Sequence, residues 1–188
     1  MKKVFVLIVL FIPIVLFGQK ESGFSVVGGF GSPVMKFHDQ QGLSISVGGE
    51  GAVLFKNGLF VGGFGNETSS LNTNKSDHAR YKEFHKENEY GGLWIGYVYR
   101  LNQRFYLNFS GKFGGGEVSF NDRTNLVTTY DKVWILKPQV ALDIKLLKVL
   151  AITAGIGYNH FGDVNLEGQG AGKFNGFETS VGLKMGWW

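Results

Sequence analysis

The sequence predicts an all-β fold, an eight-stranded antiparallel up-and-down transmembrane β-barrel, from three observations. Apolar and polar residues alternate with period two after Gly23, eight such runs can be counted, and the connections between the runs alternate between short and long. A closed antiparallel barrel of a bacterial outer membrane requires an even number of strands, with short turns on one side and longer loops on the other.

The amino-terminal segment has the organisation of a secretory signal peptide. Lys2 and Lys3 form a charged region, residues 4–17 an apolar region, and Gly18 is a small residue at a plausible cleavage point. A membrane anchor helix is the alternative, but the apolar stretch is short of the roughly 20 residues a span needs and contains Pro13. We therefore predict a signal peptide over residues 1–18 and a barrel domain over residues 19–188.

The alternation predicts eight strands and the face of several of their residues. In the clearest run, Phe105, Leu107 and Phe109 share one face while Asn108 and Ser110 lie on the other. The expected strands are residues 24–37, 43–55, 59–66, 90–100, 104–120, 133–146, 150–160 and 177–188. Pro138 falls inside the sixth, where a missing N–H predicts a bulge or a break in the register.

The connections predict the orientation of the barrel. Residues 56–58, 101–103 and 147–149 form short connections, and Asn57-Gly58 is a favoured two-residue hairpin turn. The alternate connections after the third, fifth and seventh strands are long and polar: residues 67–89, 121–132 and 162–176, whereas residues 38–41 form a short one. Turns in the periplasm and loops outside the cell then put both chain ends in the periplasm.

The polar face of the strands favours lipid on the outside. It is built from small residues that fit a narrow lumen: Ser44, Ser46, Gly48, Asn108, Ser110, Gly114, Thr153, Gly155 and Gly157. Aromatic residues flank the apolar face at both ends, as at the interfaces of a membrane barrel: Tyr97, Tyr99, Phe105 and Trp187 on one side, Trp134, Tyr158 and Phe177 on the other. The alternative is a soluble lipocalin-like carrier, with its apolar face turned inward around a ligand.

Charged residues on the polar face predict a salt-bridged interior rather than an open pore. Charges of both signs in a low-dielectric interior are costly unless they are paired, and eight strands leave only room for side chains. The expected lumenal charges are Glu50, Arg100, Lys112, Lys137, Asp143, Lys145, Glu178 and Lys184.

Composition excludes several classes of function. The 188 residues contain no cysteine, which excludes disulfide scaffolds and thiol chemistry, and the net charge of +4 is too small to indicate a nucleic-acid partner. The histidines His38, His78, His85 and His160 map to outer rims or loops, in a spacing that matches no metal motif. The charges of the 66–89 loop are typical of a solvated segment: Asp77, Arg80, Lys82, Glu83, Lys86 and Glu87. We predict no catalytic, cofactor-binding or metal residues.

The last hairpin weakly resembles the outer-membrane lipid A deacylase family, whose eight-stranded barrels carry a His-x-Ser-Asn motif and a downstream Glu. The resemblance implies His160 as the base and Glu178 as its orienting acid. Gly162 stands at the nucleophile position and Asp163 replaces the Asn, so the group that the base must activate is missing. An esterase therefore stays an alternative to a barrel without enzymatic activity.

As a whole, the predicted signal peptide, strands and connections resemble the small outer-membrane barrels of the OmpA transmembrane domain, OmpX-like and OmpW-like families. The resemblance implies a Gram-negative outer-membrane protein that acts in surface contact, envelope integrity or small-ligand binding. It also implies outer-membrane lipid, lipopolysaccharide and the barrel assembly machinery as partners, and a monomer. One feature departs from the usual pattern: Trp187 shares the apolar face, whereas the terminal Trp188 is expected to turn inward.

Overall fold

The chain forms eight antiparallel strands and no helix over the residues that its computed structural model describes, namely 25–39, 43–69, 84–122, 127–162 and 175–187. The strands are β1 Val26–Asp39, β2 Leu43–Phe55, β3 Leu59–Ser69, β4 Phe84–Arg100, β5 Phe105–Asp122, β6 Val127–Leu147, β7 Leu150–Gly162 and β8 Gly176–Trp187. In this part of the chain no helix is long and apolar enough to cross a membrane. The predicted strand count is confirmed.

The sheet closes on itself, since each strand pairs with its neighbours along the chain and β8 pairs with β1. Following the paired residues once round the barrel from Gly28 leads back to β1 at His38, ten residues further along. A displacement this large relative to eight strands means strongly tilted strands. Charged residues far apart in the sequence are thereby brought to the same level of the barrel.

The two ends of the barrel differ. The turn end holds the connections β2–β3, β4–β5 and β6–β7 together with Ser25 and Trp187, and the opposite loop end holds the other connections. Gly58, with φ of +87°, donates its backbone N–H to Phe55 O at 2.9 Å, and the side chain of Asn57 accepts from Leu59 N at 3.1 Å. The predicted Asn-Gly turn is confirmed, because glycine adopts positive φ without a steric penalty.

All strands except β2 extend beyond the predicted bounds at the loop end, and β4, β5 and β6 are the longest. Strands β4, β5 and β6 have 17, 18 and 21 residues, whereas the other five have 11 to 14. The predicted loops 67–89 and 121–132 are therefore partly wrong, since Phe84 already belongs to β4 and Val127 to β6. These polar stretches lack the apolar alternation that a lipid contact imposes, so their pairing leaves no pattern in the sequence.

Pro138 does not shift the register, which corrects the predicted bulge or break. The β6–β7 ladder lacks pairs at Lys137 and Pro138 but continues at Gln139↔Gly157 in the register of Leu136↔His160. The ladder to β5 is uninterrupted through Gly111↔Pro138. A proline interrupts a ladder without displacing it when the neighbouring pairs hold the strand in place. The register shifts lie at Val26/Gly28 and Lys145/Leu147.

Candidate functional site

The outer surface of the barrel is an apolar belt. Its large apolar side chains have high exposed fractions, for example 60% for Leu93 and 59% for Phe113. Exposing such side chains to water is unfavourable. The small residues that the sequence assigned to the polar face lie on the lumenal face, as predicted. A continuous exposed apolar surface of this kind marks contact with lipid or with another protein.

Aromatic side chains border the belt at both ends, as the sequence predicts. Trp187 and Phe177 are the most exposed, at 71% and 68%. The ring of Tyr158 meets that of Phe177 edge-on at 5.3 Å near the loop end, and Trp134 meets His160 at the same centroid distance. Amphipathic rings at this depth are typical of a membrane interface. Trp188 lies outside the described residues.

A charge in the middle of the belt is expected to be costly if the belt faces lipid. Ile95 lies on the outer face of β4 between Leu93 and Tyr97 and is 54% exposed. We expect Ile95→Arg to lower the free energy of unfolding in lipid vesicles by about 2–4 kcal/mol, and Glu89→Arg, near the loop end, by about 0–1 kcal/mol. Urea titrations of both variants measure the difference. Equal, negligible costs would indicate a surface that faces water.

The lumen contains most of the charges that the sequence assigned to it. Six of them are buried in the interior: Glu50, Lys112, Lys137, Asp143, Glu178 and Lys184. Lys145 is half-buried, with its Nζ 5.9 Å from the centre of the Tyr106 ring. Arg100 is wrongly predicted: it is exposed at the turn end, where its Nε donates to Asn102 O at 3.2 Å. Because β4 ends at Arg100, its side chain extends past the lumen into solvent.

The first lumenal cluster surrounds Glu178. Its carboxylate pairs with Lys137, lies 3.4 Å from His38 Nε2, and accepts a hydrogen bond from Asn159 Nδ2 at 3.1 Å. His38 Nε2 also lies 2.7 Å from the hydroxyl of Ser46. His38 was expected at an outer rim; instead it is buried, because the tilt of the barrel brings it opposite Glu178 in the β1–β8 ladder.

Two further clusters hold the remaining charges. Glu50 is shared by Lys112 and Lys36, the latter at 3.1 Å from the carboxylate. Asp143 pairs with Lys184 and accepts from Asn108 Nδ2 at 2.6 Å. Each buried carboxylate thus has a lysine and at least one further donor, the condition under which buried charges are tolerated.

An apolar cluster inside the barrel was not predicted. Phe30, Phe60 and Trp94 pack edge-on with ring centroids 4.8 to 5.6 Å apart, and Phe64, Tyr90 and Phe161 continue the cluster. The ammonium groups of Lys184 and Lys112 lie 4.4 Å from the centre of the Phe30 ring and 4.9 Å from that of Trp94. The rings therefore fill the space between the charged clusters and stabilise their cations.

The interior is filled rather than open. Lys36, Lys112 and Lys137, from three different strands, have no solvent-exposed surface, and neither has Phe60. Water therefore does not reach the centre of the lumen along these side chains. This agrees with the expectation of a salt-bridged interior, because eight strands enclose little more than their own side chains.

The geometry separates the two residues that the deacylase resemblance pairs. His160 is on the outer face of β7, near Asn175 and Trp134, whereas Glu178 points into the lumen and binds Lys137. Gly162, at the nucleophile position, ends β7. A base and its orienting acid must be in hydrogen-bond contact, so this pair cannot act in acyl transfer.

The buried His38 does contact both a hydroxyl and a carboxylate, but not in the order that nucleophilic catalysis needs. Ser46 and Glu178 both approach the same ring nitrogen, Nε2, while Nδ1 faces Asn159 at 3.1 Å. Ser46 is fully buried and also bonded to Thr68 at 2.7 Å, so no substrate reaches it. This cluster is structural.

No cluster of His, Asp or Glu in the described residues is arranged to hold a metal ion. His78 and the charges at 77, 80, 82 and 83 lie outside the described residues, as do Asp163 and residues 1–24. His85, Lys86 and Glu87 belong to β4, but their side chains are not described.

A row of carboxylates lies on the outer face near the loop end. Glu67, Glu89 and Glu117 are directly opposite one another across β3, β4 and β5, and Lys132 follows on β6. All four side chains are exposed. Below the row, outward glycines on the same strands leave a groove of roughly 630 Å³. Like charges in direct register are unfavourable, so the row is a surface that attracts cations.

A closed eight-stranded barrel with a charged, filled interior and an apolar exterior has the fold of the small outer-membrane β-barrel proteins. The barrel is similar to the amino-terminal barrel of Pseudomonas aeruginosa OprF, with a TM-score of 0.60 and 8% identity over 85% of this chain and 97% of that one. It is equally similar to Neisserial surface protein A, at 0.60 and 12% identity over 87% and 97% of the two chains.

A third similar structure is Ail, the attachment invasion locus protein of Yersinia pestis. Its complex with the heparin analogue sucrose octasulfate gives a TM-score of 0.55 and 15% identity over 85% of this chain and 97% of that one. No protein-family model matches the sequence, and no curated protein matches it. At these identities the comparisons establish the fold.

Proposed function

We propose that this protein is an integral outer-membrane protein of a Gram-negative bacterium that acts through surface contact rather than catalysis. The main support for this proposal is that the barrel has an apolar outer surface and a charged interior. It exposes Leu93, Phe113 and Trp187 and buries its clusters of charged side chains. A soluble carrier requires the reverse arrangement, because its outer face must be wetted and its lumen must receive a ligand.

The turn end faces the periplasm in this proposal, and residues 1–18 are removed as a signal peptide during export. Short turns on one side and longer strands and connections on the other support this orientation. Outer-membrane lipid and lipopolysaccharide then surround the belt, the barrel assembly machinery inserts it, and the protein is a monomer.

The extension of β4, β5 and β6 supports a role in surface contact. Residues 127–133 of β6 pair with β5 and lie beyond Trp134, which belongs to the last described β6–β7 pair, Trp134↔Gly162. Seven strand residues span about 23 Å, so the sheet reaches well past the aromatic side chains at the loop end. A sheet that reaches this far beyond the belt offers a surface to an external partner.

The described loop end does not favour the type of ligand seen in the Ail complex. Sucrose octasulfate is a polyanion, whereas the exposed row of Glu67, Glu89 and Glu117 repels anions. We therefore propose a neutral or cationic protein surface as the external partner.

Fractionation and electrophoresis test the membrane part of the proposal. We expect the protein in the outer-membrane fraction, with faster migration in unboiled than in boiled detergent samples and a mature amino terminus at Gln19. A fully soluble periplasmic product would overturn the proposal. Release of fatty acid from lipid A by the purified protein, with loss in His160→Ala, would overturn the absence of catalysis.

A further inference from the structure

The turn end of the barrel carries a basic rim made of Lys56, Arg100, Arg104, Lys145 and Lys148. Each of the three turns contributes to it, and all members except the half-buried Lys145 are exposed. The described residues at this end, 25–27, 55–59, 99–105, 144–150 and 185–187, contain no aspartate or glutamate. The basic rim is therefore a surface of one sign.

Among the described residues, the exposed charges near the opposite end are mostly acidic. Glu67, Glu89 and Glu117 are exposed near the loop end, with Lys132 as their cationic neighbour in the row. Surface charges that serve only solubility are interspersed in sign. Segregation along the barrel axis instead indicates that each end meets a different environment.

Exposed apolar side chains lie between the cations of the basic rim. Leu147, the last residue of β6, is 62% exposed. Four further apolar side chains in or beside the turns are also exposed: Leu101, Leu146, Val149 and Trp187. Turns that project into water are rarely this apolar. Leucines beside lysines fit the lipid interface, where the apolar parts are immersed and the ammonium groups reach the headgroups.

The exposed cations have no carboxylate near them in the chain. Arg100 donates to a backbone carbonyl of its own turn, and the hydrogen bonds of the second turn at Arg104 involve its backbone N–H, which donates to Asn102 Oδ1 at 2.8 Å. The guanidinium and ammonium groups therefore remain available to an external anion. An anionic phospholipid fits this surface, because its headgroup pairs with the cations and its acyl chains contact the neighbouring leucines.

We propose that the basic rim binds anionic phospholipid headgroups in the leaflet that surrounds the turn end. The inference rests on the proposed function, because it requires the barrel to span a membrane. A basic residue near an anionic surface contributes about 1 kcal/mol, so each cation that is removed should weaken the preference for anionic lipid about fivefold.

Lipid retention in bilayers of defined composition tests the proposal. The protein is folded into nanodiscs of phosphatidylcholine and phosphatidylglycerol, and the lipids that remain bound on release are counted by native mass spectrometry. We expect enrichment of phosphatidylglycerol for the wild type, a decrease in Lys148→Gln, and loss in the combination of Lys56→Gln, Arg100→Gln, Arg104→Gln and Lys148→Gln. High salt should reduce the wild-type enrichment.

Lys132→Gln is the matched control, since it removes one exposed cation from the other end. An equal decrease in Lys132→Gln and Lys148→Gln, or no enrichment for the wild type, would overturn the basic rim as a lipid site. Folding into pure phosphatidylcholine, seen as heat-modifiable migration, reports the proposed function separately. Insertion without a preference for phosphatidylglycerol would overturn only the lipid site at the basic rim. Failure to insert would overturn both the lipid site and the proposed function.

Discussion

Replacing Glu178 with alanine is expected to lower the free energy of unfolding by about 3–5 kcal/mol, because it leaves a buried ammonium group without its carboxylate. Lys137 is fully buried and pairs with Glu178. The Glu178 carboxylate also accepts a hydrogen bond from Asn159 and lies beside His38. The charge cannot reach water without opening the barrel. Urea titration of folded protein in vesicles gives the free-energy difference.

The double variant Lys137→Met with Glu178→Leu separates the cost of an unpaired charge from the value of the pair. Replacing both partners by apolar residues of similar volume is often neutral, so we expect the double variant to be more stable than Glu178→Ala alone. Glu89→Ala, an exposed carboxylate outside the barrel, is the matched control with an effect near zero. Equal effects of Glu178→Ala and Glu89→Ala would contradict the buried cluster.

The strand faces could be predicted wherever apolar and polar residues alternate regularly. Along much of β5 and β7, apolar side chains that point outward alternate with polar or small residues that point inward, so period two gives the correct face for Phe109, Ser110 and Thr153. The same reasoning is insufficient in β1 and β3. There Phe30 and Phe64 point inward while the neighbouring glycines point outward, and the larger apolar residue lies on the lumenal side.

The partners of the charged residues could not be predicted, although the charges could. Lys137 and Glu178 are 41 residues apart, and Lys112 and Glu50 are 62 apart. Which residues meet depends on the ten-residue displacement of the closed sheet, and local patterns do not specify this quantity. His38 and Lys36 lie at the end of β1 near a short connection, so only closure against β2, β3 and β8 shows them to be interior.

The incorrect loop bounds have a related cause. A membrane barrel needs about 9–11 residues per strand to cross the bilayer, and this length carries the alternating signal. The additional residues of β4, β5 and β6 pair through their backbones beyond the belt, and their sequence does not alternate between apolar and polar residues. The part of the molecule that the proposed function assigns to surface contact is thus the part that its sequence pattern describes least.

Phe60→Ala is expected to be about as costly as the loss of Glu178, at about 3–5 kcal/mol, for a different reason. The ring is fully buried between Phe30 and Trp94, with centroid distances of 5.5 and 4.8 Å, and it lies directly against the backbone of Gly96. Its removal leaves a cavity enclosed by paired strands, which cannot collapse because the closed ladder fixes their spacing. Urea titration in vesicles measures the loss.

Gly96 supplies a second, independent test of the same packing. A Cβ at this position would overlap the Phe60 ring, with Cε1 at 2.7 Å, and the backbone O of Phe109 at 2.6 Å, so Gly96→Ala alone should destabilise the barrel by about 1–3 kcal/mol. Phe60→Leu combined with Gly96→Ala should cost somewhat less than the sum of the two, since the smaller side chain relieves the overlap with the ring while the overlap with the Phe109 carbonyl persists. Phe113→Ala, on the exposed outer face of β5, is the matched Phe→Ala control and should cost much less than Phe60→Ala. Similar costs for the two Phe→Ala variants would show that the interior is not packed around Phe60.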